Sequence, residues 1–169
     1  MKNGLRERAR KIKLLITDID GVWTDTGVYY SENGELLKRF SIRDGMGVQR
    51  LRELINVETG IITGENSGAV KKRAEKLGIS EVNLNVKDKA ETLREILQRR
   101  GLKSEETAYI GDDVNDIGIM MMAGLSACPA DAISSVRKIA DFLCDNNGGN
   151  GAFRDFAEII ILSKKEVTL

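Results

Sequence analysis

Lys13-Leu14-Leu15-Ile16-Thr17-Asp18-Ile19-Asp20-Gly21-Val22-Trp23-Thr24-Asp25 is the stretch that decides the fold. An apolar run starting at Ile12, of the kind that makes a buried parallel strand, ends abruptly in two aspartates one residue apart. If the strand stays extended, Asp18 and Asp20 lie on one side of it. Two carboxylates that close repel each other unless a cation or a shared proton sits between them. A hard divalent cation such as Mg²⁺, which takes oxygen ligands, accounts for the pair. The plainer alternative is a solvated acidic loop after a strand.

The remaining composition narrows the classes of function. With 169 residues the chain is expected to be one domain with a real core. Lys and Arg number 26, as do Asp and Glu, so charge gives no support for nucleic acid as a partner. The basic arm at residues 1–11 reads as a solvated helical turn leading into the first strand. No run approaches the length of a membrane span and no apolar leader is present. The expectation is a cytoplasmic protein with no membrane partner. Cys128 and Cys144 lack metal-type spacing and read as buried free thiols. Histidine is absent, which excludes Ser-His-Asp and Cys-His catalysis and every histidine metal site.

Strand-like runs alternate with helical periods, the signature of an α/β fold. The first strand is expected at residues 12–17. A hairpin at residues 27–40 follows, turning at Asn33-Gly34 with Tyr30 opposite Leu37. An isolated hairpin is marginal in water, so this one needs a partner surface. A helix at 48–56, capped by Ser41 or Asp44, precedes a strand at 58–65 that ends in Thr63 and Gly64. Ser67 caps the next helix, which Gly78 stops. Then come a strand at 82–86, an amphipathic helix at 88–100 and a strand at 107–111 ending in Asp112 and Asp113. Met120, Met121 and Met122 read as core packing. Short strands at 125–128 and 142–144 flank a helix at 132–139. A glycine-rich tail at 146–169 carries a last helix ending near Ser163.

Polar groups thus stand at successive strand ends: Asp18 and Asp20, then Thr63, then Lys89 at a helix start, then Asp112, Asp113 and Asp116. Ligands of an open parallel sheet sit beyond the carboxyl ends of its strands, where such groups converge. The chemistry they suggest is phosphoryl transfer through an aspartyl-phosphate. A carboxylate attacks phosphorus, a cation and an ammonium neutralise charge, and a second carboxylate moves the protons.

Asp18-Ile-Asp20-Gly-Val-Trp-Thr24, Thr63-Gly64, Lys89 and Gly111-Asp112-Asp113-x-x-Asp116 resemble the four motifs of the haloacid dehalogenase (HAD) phosphatase superfamily. The finer pattern is similar to its small, cap-less 3-deoxy-ulosonic-acid phosphate phosphatases. It includes the early hairpin, Ser41-Ile-Arg43-Asp44-Gly, Tyr109-Ile-Gly-Asp-Asp and the tail Gly148-Gly149-Asn-Gly151-Ala-Phe-Arg154-Asp. These enzymes act on 3-deoxy-D-manno-octulosonate (KDO) 8-phosphate or on nonulosonate (KDN or sialic acid) 9-phosphates. The resemblance implies a Rossmann-like three-layer fold with a parallel sheet, a projecting hairpin and no cap domain. It implies a hydrolase using Mg²⁺, with Asp18 as nucleophile and metal ligand. Asp20 would be the general acid/base and lend its backbone carbonyl to the metal, with Asp112 as the third protein ligand. Thr63, Gly64 and Lys89 would bind the phosphate, and Asp113 and Asp116 would hold water and Lys89. It further implies a homotetramer in which a neighbouring subunit covers the active site. Arg43 and Arg154 are then candidates for gripping a sugar carboxylate or phosphate. Glu65 stands where octulosonate phosphatases usually carry Arg, and Arg73 and Lys76 match residues that nonulosonate enzymes present across a subunit interface. Glu65 inverts the local charge and leans the expectation towards a nonulosonate 9-phosphate, with KDO 8-phosphate as the alternative. A non-catalytic HAD oligomerisation module is the rival of another class, and it should have lost Asp18 or Asp20.

Overall fold

A computed structural model describes residues 4–165. Residues 1–3 and 166–169, the outer ends of the basic arm and of the tail, lie outside the described residues. The chain begins α1 (Leu5–Lys11), β1 (Leu14–Thr17), the hairpin β2 (Tyr29–Ser31) and β3 (Gly34–Leu37), and α2 (Ile42–Ile55). It continues β4 (Glu58–Ile62), α3 (Gly68–Leu77), β5 (Glu81–Asn83), α4 (Lys89–Arg100) and β6 (Thr107–Ile110). It closes with α5 (Ile117–Met122), β7 (Leu125–Cys128), α6 (Ser134–Ile139), β8 (Phe142–Leu143) and α7 (Ala152–Lys165).

Six strands form one parallel sheet in the order β5-β4-β1-β6-β7-β8. The strand order reverses at β1, and a crevice opens at the carboxyl ends around such a reversal. β1 is buried on both faces, so its alternate residues feed two cores. Leu15 joins Val48, Leu51, Phe153, Phe156 and Ile160 beneath α2, α3, α1 and α7. Leu14 and Ile16 join Leu93, Ile96, Ile119 and Val136 beneath α4, α5 and α6. The result is a three-layer α/β/α arrangement, and among the described residues no insert forms a cap.

Several boundaries differ from the sequence expectation. β1 begins at Leu14, and Ile12 is buried just before it. α2 starts at Ile42, six residues before the expected position, because Ser41 accepts a hydrogen bond from the Arg43 N–H and caps it. Asp44 caps a different helix: its Oδ1 accepts from the backbone N–H of Arg154 at the start of α7. Ser67 stands at the N-cap of α3, but its hydroxyl donates to Glu35 of the hairpin instead of capping. β5 ends at Asn83, where Asn85 takes a left-handed conformation (φ 56°) and turns the chain away. α6 begins two residues later than expected, at Ser134, and α7 runs to Lys165. Of the three methionines, Met120 is buried and Met121 is 77% exposed, so they do not form a common core face. The basic arm is more than a solvated turn: α1 buries Leu5 and Ala9, and Arg8 pairs with Asp141.

The hairpin also departs in register. Tyr29, not Tyr30, pairs with Leu37, and Tyr30 faces Glu35. Ser31 pairs with Gly34, so the turn is centred on Glu32 and Asn33, and Gly34 alone of the Asn-Gly pair takes positive φ (103°). A turn followed by a positive-φ glycine is the second way a hairpin uses Asn-Gly, and it is accompanied by a bulge. Here the extra residue, Leu36, is absorbed where the register shifts.

Candidate active site

Three of the four motifs leave the sheet at the ends of β1, β4 and β6, around the reversal. Asp18 follows β1 directly, and its N–H donates to the carbonyl of Ile110 on β6 at 3.0 Å. Thr63 follows β4 and is buried. Asp112 follows β6 by one glycine, and Lys89 opens α4, whose N-cap Asp88 accepts from the Glu91 N–H. Asp18, Asp20, Thr63, Gly64, Glu65, Asp112 and Asp113 therefore line one cleft of about 330 Å³.

Beneath the cleft lies a buried network of charge. Lys89 Nζ sits 2.9 Å from Asp18 Oδ2 and 2.7 Å from Asp116 Oδ1, with all three side chains no more than 7% exposed. Tyr109, fully buried on β6, donates its hydroxyl to the same Asp116 oxygen at 2.6 Å. Asp116 Oδ2 accepts from the backbone N–H groups of Asp112 (2.8 Å) and Asp113 (3.2 Å). Burial lowers the Lys89 pKa, but the charges of Asp18 and Asp116 more than offset this and hold the ammonium above the ordinary lysine range. Burial pushes the Asp18 carboxyl up to about 7 against the lowering by Lys89, and Asp116 adds repulsion. Asp112 is pushed up to about 8 by burial and by the charges of Asp18, Asp116 and Asp113.

Asp18, Asp112 and Asp116 bring carboxylate oxygens within 4.8 Å of one another. Both Asp116 oxygens already accept hydrogen bonds from two donors each, whereas Asp112 has no hydrogen-bond donor among the described residues on its carboxylate and Asp18 accepts from Lys89 and the Ile19 backbone N–H. A divalent cation between Asp18 and Asp112 suits this donor set, and its charge would oppose the burial and the mutual repulsion that raise both pKa values. Asp116 serves better as the anchor that fixes Lys89. Gly21 (φ 85°) makes the approach possible: a Cβ there would stand 1.9 Å from Asp112 Oδ2.

Asp20 is held from the hairpin side. Its Oδ1 accepts from Lys38 Nζ at 2.6 Å and from Thr24 Oγ1 at 3.5 Å, while its Oδ2 is buried without a partner among the described residues. Lys38 also pairs with Glu35 at 3.2 Å, and its side chain is 1% exposed. The sequence reading missed Lys38 and Tyr109. No local pattern marks a lysine two residues from a hairpin's end as buried, although a tyrosine within an aliphatic parallel strand does signal a hydroxyl in need of a partner.

Other expected site residues stand elsewhere. Asp113 is exposed and accepts from the Val114 N–H, closing the turn before α5, and does not touch Lys89. Arg154 pairs with Glu158 at 2.7 Å on α7. Arg73 donates to the Ser41 carbonyl at 2.8 Å and lies over the Phe40 ring, bracing the hairpin's exit. Arg43 and Lys76 are exposed, and none of these four cationic residues lines the cleft within this chain. The glycine-rich stretch lies behind the loop that carries Asp18 and Asp20: the Gly149 N–H donates to the Val22 carbonyl, and a Cβ on Gly148 would stand 2.0 Å from the Gly21 carbonyl oxygen.

A family model described as haloacid dehalogenase-like hydrolase matches residues 48–154. The chain belongs to the haloacid dehalogenase-like hydrolase family. Among relatives of this hydrolase is the 3-deoxy-D-manno-octulosonate 8-phosphate phosphatase of Escherichia coli K12. It is 36% identical over 157 residues, which cover 93% of this chain and 83% of the relative. The solved phosphatase of that name from Moraxella catarrhalis, in complex with magnesium ion, phosphate ion and KDO, has a TM-score of 0.94. It is 32% identical, covering 99% of this chain and 96% of that one. The cobalt-bound enzyme from Haemophilus influenzae gives 0.90 at 34% identity, covering 94% and 92%. The expected family, α/β fold and hydrolase class are those found.

Proposed function

We propose that this chain is a Mg²⁺-dependent phosphatase that removes the terminal phosphate of a 3-deoxy-2-ulosonic acid, with KDO 8-phosphate as its substrate. The observation that carries the reading is the Asp18–Lys89–Asp116 line buried under a cleft that also holds Asp20, Thr63 and Asp112. The named relatives support KDO 8-phosphate over the nonulosonate to which Glu65 leans.

Asp18 attacks phosphorus, the P–O bond to the sugar breaks, and Asp20 gives its proton to the departing alkoxide. Asp20 then takes a proton from water as that water attacks phosphorus, which frees Asp18 and inorganic phosphate. Lys89 keeps Asp18 aimed and offsets phosphate charge, and the Thr63 hydroxyl donates to a phosphate oxygen. Asp18, Asp112 and the Asp20 backbone carbonyl would hold Mg²⁺, which would supply further positive charge against the phosphate. The magnesium in the Moraxella relative supports this cofactor.

The hairpin exposes Val28, Tyr29, Tyr30, Leu36 and Leu37, an apolar surface that favours burial against another subunit. A homotetramer in which neighbours cover each other's clefts fits that surface, and a sedimentation experiment reads it directly. The decisive assay is phosphate release from KDO 8-phosphate, KDN 9-phosphate and N-acetylneuraminate 9-phosphate, each with Mg²⁺ and with EDTA. Asp18→Asn is the blank. Preference for KDO 8-phosphate is expected. Preference for a 9-phosphate supports the second reading, in which Glu65 of the cleft selects the sugar. Release from none of them favours the non-catalytic module.

A further inference from the structure

We infer that Lys38 is a positioning residue for Asp20, so that the hairpin aims the group that protonates the leaving sugar. The inference rests on the phosphatase reading above and on the role given there to Asp20.

Lys38 is the most deeply enclosed cation of the hairpin region, its side chain 1% exposed, although it follows two strands whose residues are largely open to solvent. Burial of an ammonium is costly unless its donors are matched. Here the match is Asp20 at 2.6 Å and Glu35 at 3.2 Å, and Glu35 in turn accepts from the Ser67 hydroxyl at the head of α3. A line Ser67–Glu35–Lys38–Asp20 therefore ties the foot of the hairpin to both a helix start and the catalytic loop. Asp20 has little else to fix it: Thr24 reaches Oδ1 only at 3.5 Å, and Oδ2 has no partner among the described residues. A carboxylate that must meet the leaving oxygen within hydrogen-bond reach needs such a restraint, and Lys38 is the group that supplies it.

A structural anchor and a positioning residue separate by leaving group. A sugar phosphate departs as an alkoxide and needs the proton of Asp20. p-Nitrophenyl phosphate departs as a stabilised phenolate and does not. The value of kcat/KM reports the steps up to formation of the phosphoenzyme, so it isolates this difference. With Mg²⁺ present, Lys38→Met is expected to lower kcat/KM for KDO 8-phosphate roughly 10–100-fold, a share of the 10²–10⁴-fold typical of general acid catalysis. The value for p-nitrophenyl phosphate should move less than about 3-fold. Lys38→Arg, which keeps a cation but shifts its reach, should recover part of the loss. Lys38→Gln, which keeps an amide donor but no charge, gives the same reading if the methionine variant does not fold. Equal losses on the two substrates, or no loss on either, overturn the inference. A wild-type enzyme inactive on both substrates would instead sink the phosphatase reading itself, so the two failures are distinct.

Discussion

Replacing Asp116 by Asn tests the view that this residue anchors the site rather than holding the cation. The change preserves volume, so no cavity enters the comparison. It removes the charge that, with Asp18, compensates the buried Lys89 ammonium. It also breaks a four-donor arrangement: Oδ1 accepts from Lys89 and Tyr109, and Oδ2 accepts from the N–H groups of Asp112 and Asp113. An amide has one acceptor oxygen, so either pair of donors must face its NH₂. Two buried donors then lose their acceptor, at about 1–3 kcal/mol each. Breaking a buried pair by removing one partner costs about 3–5 kcal/mol on an independent count. Lys89 keeps Asp18 at 2.9 Å, which places the expectation at the lower part of that range.

Urea unfolding at pH 7 in EDTA should therefore show Asp116→Asn destabilised by about 3–4 kcal/mol with an unchanged m-value. The melting temperature should fall roughly 10 °C for a chain of this size. Asp113→Asn is the matched control. Asp113 is exposed and caps a short turn by accepting from the Val114 and Asp116 N–H groups, a role asparagine fills about equally well, so a change within about 0.5 kcal/mol is expected. A loss below about 1 kcal/mol in Asp116→Asn would refute the anchoring argument.

Three further outcomes follow from the same geometry. Mg²⁺ at about 100 times its dissociation constant should stabilise the wild type by about 2.7 kcal/mol and raise its melting temperature. An equal rise in Asp112→Asn would rule out the cation position between Asp18 and Asp112. Gly148→Ala drives a methyl group to 2.0 Å from the Gly21 carbonyl oxygen, so the loop carrying Asp20 must move. Overpacking of this kind costs about 1–3 kcal/mol, and turnover should fall at least roughly 10-fold. Unchanged turnover would show that the glycine stretch does not brace the loop. Burial raises Asp44 to about 6, against the lowering by the backbone N–H groups of Arg154 and Gly151. The folded state then holds a proton that the unfolded state has released, so this contribution is full below about pH 4 and is lost as pH rises through about 6. Asn at this position does not ionise. Urea titrations in EDTA should find Asp44→Asn gaining on the wild type by about 2 kcal/mol between pH 4 and pH 7.5, and a flat difference would contradict the shift.

The parts of the site legible in the sequence share one property: the backbone itself delivers them. Asp18, Thr63 and Asp112 each follow an apolar run, so the end of a parallel strand carries each to the cleft whatever its side chain does. Lys89 is announced just as locally, by the N-cap Asp88 at the head of an amphipathic helix. Lys38 and Asp44 were not legible as what they are, because their roles are set by partners distant in the chain. Asp44 caps a helix 110 residues away, and its neighbour Ser41 offered a cap for α2 that satisfied the local pattern. The hairpin register failed for a related reason: Asn33-Gly34 is compatible with two turns, and choosing between them needs the bulge at Leu36. Arg43, Arg73, Lys76 and Arg154 mark the boundary of this logic. Within one chain Arg73 and Arg154 are spent on Ser41 and Glu158, and Arg43 and Lys76 face solvent outside the cleft. On the proposed reading, a sugar acid bound beside Asp18 would meet, among the described residues of the chain, Lys89 and Lys38 as buried cations, both already matched by carboxylates. A second anionic group on the substrate, its carboxylate, calls for a further cation at the cleft. The exposed apolar hairpin that walls the cleft is where a neighbouring subunit could bring one.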